Sequence, residues 1–74
     1  MAWARWVVVH GRVSEPGYRF VCTVHWFRWS AEDFAASMQR SATIAGYSMQ
    51  TYWVEPRRDG DVPGHFTLDE RTTR

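Results

Sequence analysis

An α+β fold, one three-stranded sheet with a single helix packed on one face, is what this sequence predicts, and three observations predict it. Two extended-type stretches flank Ser14-Glu15-Pro16-Gly17, a stretch of helical period opens at Ser30, and a third extended stretch closes at Pro56. The chain of 74 residues has room for one core. A domain of this size buries only about 60% of the surface its unfolded chain exposes, so each large side chain counts. Five Trp, four Phe and three Tyr supply that burial, since Leu68 and Ile44 are the only residues of their types.

The first strand is expected over Trp3 to Val13, around the β-branched run Val7-Val8-Val9, and the second over Tyr18 to Trp29, rich in Phe, Val, Thr and Trp. Pro16 and Gly17 between them suit the two central positions of a type II turn. A hairpin closed there places odd positions of the first strand with even positions of the second. One face then collects Val7, Val9, Gly11 and Val13 with Tyr18, Phe20, Cys22, Val24 and Trp26, and reads as the core. The other collects Trp6, Val8, His10 and Arg12 with Arg19, Val21, Thr23, His25 and Phe27. A slip of one residue would exchange the two faces.

Ser30 followed by Ala31-Glu32-Asp33 reads as a capped helix start with carboxylates in the first turn. Phe34, Met38, Ala42 and Ala45 then recur at helical spacing, joined by Ala31 and Ala35, and Gly46 supplies the stop. So much alanine lets the helix lie close on a sheet. Tyr47 to Pro56 reads as the third strand, ended by Pro56. The element order ββαβ is satisfied best by strand order 2-1-3, which puts the most β-branched strand in the middle. Residues 1–58 form the domain. Residues 59–74, polar and turn-rich, are expected as a flexible tail, with His65 to Leu68 as a short extra strand if the tail orders at all.

The charge balance narrows the function classes. All nine basic residues are Arg, eight acidic residues nearly cancel them, and the net charge is +1, unlike the strong positive excess of a dedicated polyanion binder. The absence of Lys and Asn reads more simply as GC-rich codon usage than as chemistry, although Arg is also the better residue for bidentate and stacked contacts. Cys22 alone cannot form an intramolecular disulfide, which points to a reducing cytoplasm. The apolar run Trp6 to Val9 is too short for a signal-peptide core, and the stretch from Ser41 to Val54, the longest without charge, is too short and too polar to span a bilayer.

No catalytic reading emerges. Glu32 and Asp33 are adjacent on a helix and point in different directions, Ser30 is accounted for as a cap, and Cys22 on an apolar face behaves as a small hydrophobe. His10 and His25 share a face but lack further ligands for zinc, so neither metal nor cofactor is expected. Gly17, Tyr18, Phe20 and Val21 resemble positions of the RNP1 motif of RNA-recognition domains, while Pro16, Arg19 and Thr23 depart from it; with Tyr18 and Phe20 expected inward, the segment reads as a core strand.

The sheet face away from the helix would be uncovered, yet Trp6, Val8, Val21 and Phe27 on it are apolar. The expectation is therefore a non-catalytic protein-binding module. It would dock through Trp6, His10, Arg12, Arg19, Thr23 and His25 onto a larger protein or a second copy, in the manner of small phage or mobile-element modulators, an analogy of size. Single-stranded nucleic acid on the same face is the alternative, and no membrane association is expected.

Overall fold

The computed structural model describes residues 5–47 and 49–68, the last two by backbone alone. Strands β1 (Trp6–Arg12) and β2 (Glu15–His25) form the hairpin, α1 spans Arg28–Ile44, and β3 (Gln50–Pro56) and β4 (Phe66–Leu68) follow. The sheet runs β3-β1-β2-β4, and every neighbouring pair is antiparallel. The 2-1-3 order is thus present as expected, with β1 in the middle. The short strand foreseen at the C-terminal end is β4, where Phe66 stands opposite Phe20. The expected start of β1 at Trp3 and the tail beyond Leu68 lie outside the described residues.

The hairpin turns at Val13-Ser14, not at Pro16-Gly17, and Arg12 faces Glu15 across it, their side chains 3.1 Å apart. Pro16 and Gly17 lie inside β2, where Gly17 takes a φ of 90°. There the four residues from Pro16 to Arg19 stand against Gly11 alone. A second irregularity sits at Cys22, because Val8 faces Thr23 while Val9 faces Val21. Each bulge shifts the alternation of β2 relative to β1.

That shift overturns the expected faces. The helix lays Ala31 and Ala35 on Val8, with Trp6, Cys22, Phe34, Tyr52 and Val54 packed around them. The even positions of β1, expected to face away from the helix, therefore lie beneath it. Val7, Val9 and Val21 are fully buried on the opposite face, with Val24 against them. Phe20, Tyr18 and Cys22 keep the helix-side position that was expected for them, since the extra residue at Cys22 reverses the parity only at the Val24 end. A single parity for the whole hairpin was the faulty premise.

Helix α1 begins three residues earlier than the Ser30 cap implies. Phe27 is the N-cap in extended conformation, no side chain caps the helix, and the Ser30 hydroxyl sits in the first turn against His25. The stop is as expected. The Gly46 N–H reaches the Thr43 carbonyl and the Tyr47 N–H reaches that of Ala42, the paired bonds of a Schellman ending. Ala45, expected in the buried stripe, is the exposed C-cap. On α1, Gln39 spans to β3, donating to the Gln50 carbonyl at 3.1 Å and accepting the Tyr52 N–H at 3.0 Å. A side-chain amide thus serves the outer edge of β3 as a neighbouring strand would. Pro56, whose missing N–H would point outward there, shortens that edge further.

Candidate functional site

The six residues expected to form one binding face are divided by the sheet. Trp6, His10, Arg12, Thr23 and His25 lie on the helix side, whereas Arg19 lies on the other. Arg19 is also not a surface residue, being 4% exposed. Its guanidinium forks onto Asp61, with Nη1 to Oδ1 at 2.9 Å and Nη2 to Oδ2 at 2.8 Å, and its Nε donates to Glu55 at 3.0 Å. Asp61, 1% exposed, also accepts the Arg58 N–H at 2.9 Å. The paired Arg19 fork and the backbone donor hold its carboxyl down at about 2, against the opposing pull of burial. Asp61 and Glu55 in turn hold the Arg19 guanidinium well above its ordinary range.

This ion-paired lattice ties the segment after β3 to the sheet. The Arg57 Nε donates to the Asp61 carbonyl, and Gly64 and His65 exchange backbone hydrogen bonds with Val21. Trp53 lies across Gly11, where a Cβ would overlap its ring, and its indole N–H donates to Glu55 at 2.7 Å. A shallow groove of about 270 Å³ runs between Pro16, Tyr18, Trp53 and Arg58 above this lattice. Its charged groups are paired with one another: Arg58 stands 3.6 Å from Glu55.

The helix-side residues serve two different arrangements. At one end His25 joins Thr23 to Ser30, its Nε2 at 2.8 Å from the Thr23 hydroxyl and its Nδ1 at 2.9 Å from that of Ser30. A serine beside an imidazole is the beginning of a nucleophile–base pair. Here a hydroxyl, not a carboxylate, holds the far nitrogen, so nothing in the trio stabilises an imidazolium, and the contacts tie the end of β2 to the first turn of α1. Burial holds the His25 imidazolium below its ordinary range. Trp6 carries the Arg28 guanidinium over its ring at 5.3 Å. His10 and His25 are too far apart along the strands to share a metal ion. Among the described residues no group of three or more His, Cys, Asp or Glu could hold one.

Beyond this tie the chain turns its largest side chains outward. Trp26, Phe27 and Trp29 are 59%, 60% and 66% exposed, and the Phe27 and Trp29 rings are nearly parallel, 17° apart at 6.3 Å. Trp26 was expected in the core and Phe27 at the margin of the binding face. The strand ends at His25, so both fall in the connection to the helix, where strand alternation assigns no face. Trp29, expected as the end of the second strand, is the second residue of α1. The sequence signal was present: three aromatics in four positions, straddling the helix start.

At the other end, Tyr52, His10, Tyr18 and Phe66 contribute one ring from each strand to a row, with centroids 4.9, 5.7 and 4.9 Å apart. The Arg12 guanidinium lies 4.9 Å above Tyr18. Burial and then Arg12 hold the His10 imidazolium below its ordinary range. Helix α1 sits mainly over β3 and β1; among the four rings Phe66 is exposed, while Tyr18, His10 and Tyr52 are half-buried. No helix among the described residues is long and apolar enough to cross a membrane. Searches find no matching family model, no matching curated protein and no matching solved structure, so the geometry of these surfaces carries the functional reading.

Proposed function

We propose that this chain is a small non-catalytic binding module that docks onto a larger protein through the corner between β2 and α1. The observation that carries the reading is the exposure of Trp26, Phe27 and Trp29, each more than half open to solvent within four residues. Large aromatics give much contact area for little lost rotamer freedom, and with Arg they dominate the energetics of protein interfaces. Arg28 stands among them, paired with Glu32 at 2.9 Å and stacked on Trp6. The His25 trio fixes the corner to the sheet, so binding orders little backbone. Strand addition at β3 is disfavoured, because Gln39 and Pro56 occupy its outer edge. A reducing cytoplasm suits Cys22, whose thiol burial holds in the protonated form.

The test is photo-crosslinking in an extract of the native host, with a benzophenone-bearing phenylalanine replacing Trp29 in one sample and exposed Arg40 in another. The expected result is a discrete heavier adduct from position 29 and none from position 40. An adduct of twice the chain mass would identify the partner as a second copy. Equal labelling from both positions, or none from either, refutes the corner as the docking surface.

A further inference from the structure

We infer that the contact between His25 and the first turn of α1 is an acid-sensitive clasp: one added proton on the imidazole loosens the start of the helix, so that docking at the corner is strong at neutral pH and weakens in acid. The inference rests on the corner as the docking surface and adds how that surface is regulated. Three observations carry it.

The first is what the ring holds together. Strand β2 ends at His25 and α1 begins at Arg28, so Trp26 and Phe27 alone lie between them. Thr23 and Ser30 engage the two ring nitrogens at 2.8 and 2.9 Å. A neutral imidazole donates through one nitrogen and accepts through the other, so one of the two hydroxyls gives its proton to the ring. An imidazolium donates through both. That hydroxyl then loses its acceptor and has to turn away.

The second is the charge around the ring. Phe27 caps α1 without a side-chain hydrogen bond and no carboxylate lies in the first turn, so the positive end of the helix beside Ser30 is unopposed. Arg28 lies over Trp6, which stands opposite His25 in the hairpin, and the Arg5 N–H donates to the His25 carbonyl at 3.0 Å. Among the described residues the neighbouring carboxylates are engaged or turned outward. Glu32 is paired with Arg28 at 2.9 Å, and Asp33 is exposed. From β3 the residues packed on this face are Tyr52 and Val54, while Glu55 lies on the other face with Arg19. Burial acts in the same sense as these cations and disfavours the His25 imidazolium.

The third is where the helix is held by other means. Its first backbone bond, from the Ala31 N–H to the Phe27 carbonyl, is long at 3.3 Å, whereas Ala31 itself is fully buried on Val8. Packing therefore fixes the helix from Ala31 onward, and the His25 contact, with Arg28 on Trp6, fixes the turn before it. Releasing the His25 contact loosens Phe27 to Ser30 and leaves the body of α1 in place.

The test follows amide exchange of the full chain by NMR from about pH 7.5 to about pH 5, across the range in which histidine titrates. The readout is the exchange rate of the Ala31 amide relative to that of Ala35, each corrected for its intrinsic pH dependence. That ratio should at least double as the His25 ring takes its proton, with the same midpoint as the ring's own carbon resonance. His25→Gln donates and accepts without titrating, and should hold the ratio at its neutral value throughout. Ser30→Ala keeps the imidazole but cuts the clasp, so its ratio should be raised already at neutral pH and stay flat; it decides the matter where His25→Gln fails to fold. Crosslinking from position 29 should likewise lose its adduct in acid and keep it in the His25→Gln chain. The inference is overturned if the ratio stays level through the His25 titration, if it changes equally in His25→Gln, or if the parent keeps its adduct in acid. An exchange response with no adduct at neutral pH refutes the corner and leaves the clasp standing, so the two failures are read apart.

Discussion

The two faces of the sheet are closed by opposite means. On the helix side, Val8 is covered by Ala31 and Ala35, small residues on a long element, and the contacts are those of close apolar packing. On the other side, Val7, Val9 and Val21 are just as fully buried, with no helix above them. There Trp53 and a lattice of Arg19, Asp61 and Glu55 provide the cover, and the segment after β3 is drawn across the sheet by a carboxylate. Apolar cover tolerates loss in proportion to the area removed. Ionic cover fails as a unit, because each remaining charge is left buried without its partner.

The sharpest way to break this contrast is Arg19→Ala, which strands Asp61 in the interior. It should destabilise the chain by about 3–5 kcal/mol in urea unfolding, a large part of what a domain of this size has. Val8→Ala removes methyl groups beneath the helix and should cost about 2–3 kcal/mol. If Val8→Ala proves the more damaging of the two, the ionic face is ornament and the contrast is wrong.

Acid separates the faces further. The Asp61 carboxyl is held at about 2 against an ordinary 3.8, so its stabilisation is complete above the ordinary value and is lost as pH falls from there toward 2. That loss amounts to about 2 kcal/mol. His10 and His25, on the helix side, are both held below 6.5. For them too the unfolded chain binds the proton more readily, so their stabilisation is full above 6.5 and fades as pH falls below it. A stability curve recorded from neutral pH downward should therefore show two declines. His25→Gln should diminish the one nearer neutrality and leave the acid one in place; a single decline would mean that the two faces do not titrate separately.

The smallest effect is expected at the edge of β3. Gln39→Ala leaves the Gln50 carbonyl and the Tyr52 N–H to water and should cost about 1 kcal/mol. Its more telling consequence would be concentration-dependent association through the uncovered edge, visible by sedimentation. A variant that stays monomeric at high concentration would show that Pro56 alone suffices to protect it.

Much of the architecture was legible because it rests on local rules. Valines and aromatics in runs gave the strands, alanine at helical spacing with Gly46 beyond gave the helix and its Schellman ending, and Pro56 gave the end of β3. The face expected to bind was legible only as a composition. Trp6, His10, Arg12, Thr23 and His25 do share one side of the sheet, but the helix shares it with them, and Arg19 lies across from them in an ion pair.

What the sequence by itself determined is the set of elements and their order, since propensity, period and turn chemistry act over a few neighbouring residues. What only the tertiary structure decided is which side of the sheet each residue serves. A bulge at Cys22 reverses every position beyond it, and no local preference announces one extra residue in a strand. The role of Arg19 was out of reach for the same reason. Its partner, Asp61, is 42 positions away in a segment that reads as a polar tail, and a pairing over that distance exists only once the sheet has formed beneath it.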